Sequence, residues 1–285
     1  LMIDDRRGMR AREDYLAKLV ATGEKTVVYV SSRERSITVA RILRSKVGQL
    51  APMIGFYNAG LDRAERTRIE EMFRSGALSV LVSTSAFGEG VNIPDIRHVV
   101  LFNMPFNEIE FNQMSGRAGR DGRESFVHLL YNRGDAQLNE AALAGATPDR
   151  DVLVQVYRYL TARQRNAGDV SFSAGTSEIA YGIDPNNPMS ADSVECAIAV
   201  FRELGLIQTH AEFTSGEETR TVRVESGHQK VDLTDSVRYR EGMGERAIFD
   251  EYKHRAMDED ACTLQGRISA PIVPACAETG DCLCS

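Results

Sequence analysis

The sequence predicts an α/β domain built on a parallel sheet, followed by a mainly helical domain. Three observations lead to this fold class. Five short β-branched runs alternate with amphipathic helix patterns in the first half. These runs are apolar on both faces, which is typical of a parallel sheet covered by helices. After Leu143 the pattern changes to helices and then two strand-like segments, and 285 residues suffice for two ordinary domains.

The predicted strands of the first half are separated by helix patterns. The strand segments are residues 26–30, 53–57, 79–84, 98–104 and 125–131. Apolar residues recur at helical spacing between Val39 and Val47. Asp62, with Glu65 three residues later, forms a capping-box pattern, which predicts the start of another helix.

The second half is predicted to begin with a linker at residues 144–148, because Gly145 and Pro148 break the pattern. Helix patterns follow near residues 153–160 and 176–181, and a third begins at a Ser190 cap. The remaining predicted elements are a stop at Gly205, strands at 206–210 and 219–225, and a helical segment at 232–257. Three helices followed by a hairpin is the order of a winged helix. The predicted domains are therefore 1–143, a winged-helix-like domain at 144–260, and a flexible cysteine-containing tail at 261–285.

Composition and charge limit the possible classes of protein. The chain is 42% hydrophobic and 26% charged, as in ordinary globular proteins. It has no run of about 18 apolar residues, so no membrane partner is expected. It has no signal-peptide pattern either, so a cytoplasmic location is expected. Residues 1–140 carry 20 Lys and Arg against 18 Asp and Glu, while residues 141–285 carry 14 against 23. The two halves are therefore expected to contact different partners.

The segment Gln113–Gly122 carries two arginines in glycine-rich surroundings. On one helical turn Arg117 and Arg120 would project to the same side, and the glycines at 116 and 119 would let a bulky anion approach. Two guanidinium groups suit the charge that develops on a transferring phosphoryl group. The alternative is a pair of surface arginines in a glycine-rich turn, because short motifs recur by chance.

Two further segments follow predicted strands, at the edge where open parallel sheets bind ligands. In the segment at residues 80–95, Thr84 and Ser85 lie at the carboxyl end of the predicted strand. Gly88 and Gly90 allow a phosphate or a sugar-phosphate chain to approach the backbone. The other is the strand exit at residues 27–33, which contains two serines. The alternative for each, as for the connection at residues 58–61, is a structural turn.

In their order and spacing these segments resemble motifs IV, V and VI of superfamily 2 helicases. The residues 86–95, followed by 113–122, are most similar to the RecQ family. The resemblance covers about residues 20–135. It implies that this part of the chain is the RecA-like C-terminal lobe of a helicase motor, and RecQ proteins also carry a winged helix after this lobe.

The resemblance also implies roles for individual residues. Arg120 resembles the arginine finger of these motors, and Arg117 resembles its partner at the γ-phosphate of ATP. On the ATP-facing side the resemblance places Asn92, Gln113 and Gly90. The positions that resemble nucleic-acid-binding residues are Ser31, Ser32, Arg33, Asn58, Gly60 and Thr84.

The sequence departs from the RecQ pattern in ways that bear on activity. It contains neither the Gly-x-x-x-x-Gly-Lys-Ser/Thr phosphate loop nor an acidic box for Mg²⁺. ATP and Mg²⁺ would therefore be bound mainly by a first lobe that the sequence lacks, and this chain alone is predicted to be inactive. The four-cysteine zinc module usual in RecQ proteins is missing too, because residues 120–195 contain no cysteine.

Two functions from different classes are compatible with these patterns. The first is the C-terminal part of an ATP-dependent RecQ-like DNA helicase, supplying the arginine finger and part of the nucleic-acid track for unwinding in repair or recombination. Its partners would be single-stranded or partly duplex DNA, the N-terminal helicase lobe and, in a larger RecJ-type fusion, a nuclease or other repair domain. The alternative is a non-catalytic nucleic-acid or protein docking module. The two arginines and Gln113 favour the helicase.

The second half gives weaker signals for binding. The helix pattern at residues 190–204 carries three acidic residues against Arg202, which opposes phosphate binding, so packing or protein contact is expected there. Any DNA contact is expected at the basic series Arg220, Arg223, Lys230, Arg238 and Arg240. The irregular cysteine spacing favours free thiols over a tail metal site with Cys262 as fourth ligand, and no metal site is predicted. The five histidines are scattered and indicate no site.

Overall fold

A computed structural model describes residues 2–8, 12–88, 92–168, 170–214, 217–225, 231–260, 263, 264 and 266, with backbone only for 211–214 and 217–219. The chain divides into two compact units: residues 1–136 together with residues from 252 on, and residues 137–251. The boundary expected from sequence lay between residues 143 and 144. Residues 144–146 are helical, so that part of the predicted linker is wrong. Nearly all of the predicted tail lies outside the described residues.

The first unit is built on a six-stranded parallel sheet. Its strands are β1 (Met2–Asp5), β2 (Thr26–Tyr29), β3 (Ile54–Tyr57), β4 (Val80–Ser83), β5 (His98–Leu101) and β6 (Phe126–Leu129). Their order across the sheet is β1-β6-β5-β2-β4-β3. Thr26 pairs with Val80 on one side and His98 on the other, so β2 lies inside the sheet. The predicted α/β fold with a parallel sheet is confirmed.

Helices lie between these strands and one follows the last of them, and several begin where local chemistry predicts. They are α1 (Arg12–Val20), α2 (Arg33–Lys46), α3 (Arg63–Ser75), α4 (Glu108–Ser115) and α5 (Arg133–Ala146). At the start of α3, Asp62 Oδ1 accepts from the Glu65 N–H at 2.8 Å, and Glu65 Oε2 accepts from the Asp62 N–H at 3.2 Å. Gly76, at φ +83°, ends the helix. The predicted capping box is therefore confirmed.

The sequence patterns missed β1 and α1. Half of the four residues of β1 are aspartates, and the strand pairs only with β6 at the edge of the sheet. Edge strands commonly carry charges, which hides the apolar pattern of a strand. In α1 only Leu16 and Val20 are buried, so its apolar stripe is short.

The second unit is mainly helical and contains a small antiparallel sheet. Its elements are α6 (Arg150–Asn166), β7 (Phe172–Ala174), α7 (Thr176–Ile183), α8 (Ala191–Glu203), β8 (Ile207–Thr214), β9 (Glu217–Val224) and the start of α9 (Val237–Asp258). The strand order is β7-β9-β8. Ser190 caps α8 by accepting from the Ser193 N–H at 3.1 Å, and Gly205 follows the helix at φ +69°. The predicted helices and hairpin are present, and β7 was missed because it has three residues.

Each unit has its own apolar core. In the first unit, residues such as Val28, Val82 and Val100 from neighbouring strands are completely buried. In the second, Leu160 of α6 and Ala197 of α8 belong to a separate cluster. Over the described part of the chain, every helix is too short or too polar to cross a membrane.

Candidate functional site

A cleft of about 370 Å³ lies at the carboxyl ends of β2 and β4. The turn at residues 84–87 and Tyr29 of β2 contribute to its lining. Gln113 and Met114 of α4 line it as well, together with Arg117. This is the edge of an open parallel sheet at which ligands bind. The structure therefore brings three predicted site residues together, namely Thr84, Gln113 and Arg117.

Arg117 lies in a turn that follows α4. The helix ends at Ser115, and residues 116–121 form turns, so the prediction that Arg117 and Arg120 share one helical turn is wrong. The Arg117 side chain is half-buried and lies against Gly88. An ideal Cβ placed on Gly88 would be 2.6–2.8 Å from the guanidinium atoms of Arg117. A side chain at position 88 would therefore displace this guanidinium group.

Arg120 is exposed and anchored at one point. Its Nε donates to the carbonyl oxygen of Gly116 at 3.1 Å. Among the residues that the structure describes, its terminal amino groups have no hydrogen-bond partner. Burial raises the pKa of Tyr29, whereas the charges of Arg117 and Arg120 lower it. Both guanidinium groups thus act on the same buried phenol, although they do not lie on one helical face.

An ion pair holds the arginine-bearing turn in place. Arg97 Nη2 donates to both carboxylate oxygens of Asp121 at 2.6 Å, which lowers the pKa of Asp121. The Gly119 N–H donates to the carbonyl oxygen of Ile96 at 2.9 Å. Gly119 has φ +62°, and a Cβ there would collide with Ser125 Oγ. Backbone conformation and close packing therefore require glycine at position 119. The sequence predicts a different reason for this glycine, namely access for an anion.

The first group of predicted nucleic-acid residues lies at the start of α2. Ser31, Ser32 and Arg33 are all exposed. The Ser31 N–H donates to Asn103 Oδ1 at 3.2 Å, and Ser32 Oγ caps the helix by accepting from the Arg35 N–H at 3.1 Å. Two serines and an arginine at a helix N-terminus form a surface that suits phosphate oxygens.

The second group, Asn58, Gly60 and Thr84, follows β3 and β4. Asn58 is 3% exposed, its Nδ2 donates to Ser36 Oγ at 3.0 Å, and its Oδ1 accepts from the Gly60 N–H at 2.9 Å. Its amide therefore supports the loop from inside. Gly60 is exposed beside the side chain of Arg33, since an ideal Cβ on Gly60 would be 3.5 Å from Arg33 Cδ. Thr84 is half-buried in the cleft.

The predicted ATP-facing residues are placed differently from one another. Gln113 is exposed and lines the cleft. Asn92 is exposed too, but within the described part of the chain it is not among the residues lining the cleft. Gly90 lies outside the described residues.

Three residues that shape the site were missed in the sequence. The Tyr29 hydroxyl donates to the carbonyl oxygen of Phe87 at 3.2 Å. Asn103 holds Ser31 through Oδ1, and its Nδ2 donates to Asp135 Oδ1 at 2.7 Å. Tyr29 and Asn103 are polar residues at the carboxyl ends of buried strands, which was a usable signal. Phe87 acts through its backbone and a buried ring, and no pattern marked it.

Two histidines that are distant in sequence lie in contact on β5 and β6. His98 Nδ1 is 3.0 Å from His128 Nε2, and His98 Nε2 is 2.7 Å from Glu24 Oε2. The Tyr15 hydroxyl is 2.8 Å from His128 Nδ1 and donates to Asp4 Oδ2 at 2.9 Å. Burial, with help from the charge of His98, lowers the pKa of His128 to about 4. Across the described residues, no three His, Cys, Asp or Glu side chains are grouped to hold a metal ion.

Two acidic residues of α8, Glu195 and Glu203, have structural partners in the second unit. Arg220 pairs with Glu195 at 2.7 Å. The Glu203 carboxylate accepts from Ser236 Oγ at 2.7 Å and from the Val237 N–H at 2.6 Å. Arg220, a member of the predicted basic series, is thus paired with α8, the helix for which packing or protein contact is expected instead of DNA binding. The exposed members of that series are Arg223, Arg238 and Arg240.

The remaining predictions for the second half concern residues that the structure covers only in part. Cys196 is buried, and burial raises the pKa of its thiol. Lys230 and the cysteines of the predicted tail lie outside the described residues; these cysteines are Cys262, Cys276, Cys282 and Cys284.

Comparison with known families finds one match, and it lies in the first unit. Residues 11–122 match the helicase conserved C-terminal domain. This segment contains every predicted site residue, from Ser31 to Arg120. The segment is therefore similar to helicase C-terminal domains, and it lies within the α/β unit with the parallel sheet.

Several similar proteins are ATP-dependent helicases. The chain is 34% identical over 156 residues to the probable ATP-dependent DNA helicase RecS of Bacillus subtilis, covering 53% of this chain and 31% of that protein. It is 33% identical over 136 residues to the ATP-dependent DNA helicase RecQ of Haemophilus influenzae, covering 47% and 21%. A putative ATP-dependent RNA helicase of Acanthamoeba polyphaga mimivirus is 30% identical over 147 residues, covering 49% and 26%. The chain thus spans less than a third of each relative, and the predicted resemblance to RecQ-like DNA helicases is confirmed.

Proposed function

We propose that this chain is the C-terminal part of an ATP-dependent RecQ-like DNA helicase that unwinds DNA in repair or recombination. One observation supports this above the others: inside a helicase C-terminal domain, Gln113 and Arg117 line a cleft, and the exposed Arg120 follows in the next turn. The alternative, a non-catalytic docking module, does not require an arginine in the cleft and a second arginine exposed three residues later.

The residues at the cleft fit the phosphates of ATP. Arg117 lines the cleft and supplies one positive charge, and Gln113 supplies an exposed amide. Arg120, exposed in the turn that follows Arg117, supplies a second positive charge. When bound, ATP supplies the phosphoryl group whose transfer to water provides the free energy for strand separation. A first helicase lobe would hold most of the nucleotide and the Mg²⁺, because this sequence has no phosphate loop.

Arg120 acts as the arginine finger in this proposal. Its anchored Nε sets the position of the guanidinium plane, while its terminal amino groups are available to a ligand. Donors that are already in place stabilise charge developing in the transition state without further reorganisation. Arg117, half-buried against Gly88, is its partner at the same phosphate.

Nucleic acid would contact the exposed residues along the same sheet edge. The candidates are Ser31, Ser32, Arg33, Gly60 and Thr84, with Asn58 supporting the loop from inside. Only one of these residues is charged, so hydroxyl and N–H groups provide most of the contact. Few phosphates are then neutralised, and binding by this domain alone should be weak and tolerant of sequence.

The test is Arg120→Ala in a helicase that carries this chain together with a first lobe. DNA-stimulated ATP hydrolysis should fall by about 10²-fold or more, because related fingers contribute about 10³–10⁵ in rate. The affinities for ATP and DNA should change by less than about threefold, since the finger acts mainly in the transition state. Arg123→Ala, an exposed arginine nearby, is the matched control and should keep the wild-type rate.

The same assay separates the proposal from its rivals. Near-normal hydrolysis by a folded Arg120→Ala variant would overturn the finger assignment. No hydrolysis by the wild-type helicase, with any nucleic acid, would favour the docking module. Stimulation by single-stranded RNA but not by DNA would retain the motor and reject DNA as its substrate.

A further inference from the structure

A buried phenol contacts the turn that carries Gly88. Tyr29 is the last residue of β2 and is 2% exposed. Its hydroxyl donates to the carbonyl oxygen of Phe87 at 3.2 Å. A phenylalanine ring would fill the same apolar space. The specific contribution of the hydroxyl is therefore the hydrogen bond that fixes the direction of the Phe87 carbonyl group.

The turn is held at two further points. The Phe87 ring packs edge-on against the rings of Tyr57 and Phe73, with distances of 5.4 Å and 5.9 Å between the ring centroids. The Phe87 N–H donates to the carbonyl oxygen of Thr84 at 3.2 Å. The ring and the N–H are therefore fixed without Tyr29, and the Tyr29 hydroxyl fixes the peptide that joins Phe87 to Gly88.

The Phe87–Gly88 peptide forms the surface against which the Arg117 guanidinium group lies. Gly88 has φ +129°, a conformation that side chains disfavour, and the Arg117 guanidinium group occupies the space of its missing Cβ. Rotation of the Phe87–Gly88 peptide would tilt this surface. Tyr29 and Arg117 also interact electrostatically. Burial raises the pKa of Tyr29, and the positive charge of Arg117 opposes this increase.

We propose that Tyr29 is a positioning residue for Arg117: its hydroxyl fixes the Phe87–Gly88 peptide, and this peptide sets the place of the guanidinium group. The consequence for ATP hydrolysis rests on the function proposed above. The positional part does not, because it concerns atoms within this chain.

The positional part is tested on the 285-residue chain by NMR of arginine Nε–Hε groups. In Tyr29→Phe the Arg117 resonance should shift, because the hydroxyl no longer holds the Phe87–Gly88 peptide against which the guanidinium group lies. Tyr131→Phe is the matched control, since Tyr131 is also completely buried but does not line the cleft. An unchanged Arg117 resonance in Tyr29→Phe would overturn the proposal.

Gly88→Ala tests the same contact from the other side and serves if Tyr29→Phe does not fold. The new Cβ should move the Arg117 guanidinium group and shift its resonance. Gly23→Ala is the control, because Gly23 also has a positive φ, +76°, but its Cβ would meet no neighbour. If the two variants leave the Arg117 resonance equally unchanged, Gly88 does not seat Arg117.

The catalytic consequence is measured in the helicase that includes a first lobe. Tyr29→Phe should lower kcat for ATP hydrolysis by about tenfold and change KM by less than about twofold, whereas Tyr131→Phe should change neither. A shifted Arg117 resonance with a normal kcat would refute the role of Arg117 in the proposed function and leave its positioning by Tyr29 intact. An unshifted resonance with a reduced kcat would refute the positioning alone.

Discussion

Whether a polar side chain can bind a ligand depends on which of its atoms are already hydrogen-bonded. The two polar atoms of the Asn58 side chain are bonded inside the first unit, whereas Ser31 and Arg33 are exposed. Asn58 nevertheless acts on the same surface, because it joins Ser36 of α2 to the backbone of Gly60. Its proposed contribution to nucleic-acid binding is therefore indirect.

Asn58→Ala should lower the free energy of unfolding by about 1–3 kcal/mol, because the Gly60 N–H loses its acceptor and the buried Ser36 hydroxyl keeps only its bond to the Arg33 carbonyl. Urea denaturation of the chain measures this change. Asn92→Ala, at an exposed asparagine, is the matched control and should change the free energy by less than about 0.5 kcal/mol. Equal stabilities of the two variants would contradict the supporting role of Asn58.

The sequence marks the two arginines as candidates, which stays a prediction, whereas their surroundings could not be predicted. Guanidinium chemistry and glycine-rich spacing made Arg117 and Arg120 candidates, and the helicase resemblance implied their roles. The contact between the Tyr29 hydroxyl and Phe87 joins residues 58 positions apart. Such a contact depends on the pairing of β2 with β4, and one sequence carries no local pattern for it.

At the scale of elements, prediction succeeded where the chain supplies its own local signal. The capping box at Asp62 and the cap at Ser190 are both present. It failed where pairing or backbone conformation decides the structure. β7 exists because Ser173 pairs with Thr221 of β9. α4 ends at Ser115, and the backbone forms turns from Gly116 on, so Arg117 is not helical.

Asp62→Ala should destabilise the first unit by about 1 kcal/mol, since the N–H of Glu65 loses its acceptor. The change is measured by chemical denaturation. Glu71→Ala, an exposed glutamate within α3, is the matched control and should have little effect. The Asp62→Ala and Glu65→Ala losses should sum to more than the loss in the double variant, because the two side chains form one reciprocal cap. Strict additivity would contradict the capping box as a unit.

At the scale of the whole molecule, contacts distant in sequence determine the division into units. Residues from 252 on belong to the first unit, where Arg255 lies 3.4 Å from Glu108 and the Arg7 side chain donates to the carbonyl oxygen of Glu259. The sequence pattern assigned this segment to the second domain, because the helix pattern at 232–257 has no break. An uninterrupted helix gives no local sign of the place where its contacts change.

A second non-local feature of the first unit is its histidine pair. His98 and His128 are 5% and 3% exposed. The charged and titratable groups described around them come from several elements: Asp4 and Arg6 at β1, Tyr15 on α1, and Glu24 before β2. Burial holds the pKa of His128 near 4, below its ordinary value of 6.5. This shift makes the stability of the unit depend on pH.

Between pH 6.5 and pH 4 the unfolded chain binds a proton at His128 that the folded chain does not bind, so stability falls as the pH falls through this window. We expect the chain to lose about 1–2 kcal/mol of unfolding free energy between pH 6.5 and pH 5, within the limit of about 1.4 kcal/mol per pH unit for one group. Urea denaturation followed by circular dichroism at each pH measures this slope. His128→Gln should be less stable at neutral pH but should lack most of the slope, whereas His254→Gln, at a histidine with 76% of its side chain exposed, should retain it. A His128→Gln variant with the wild-type slope would show that His128 is not the group that titrates.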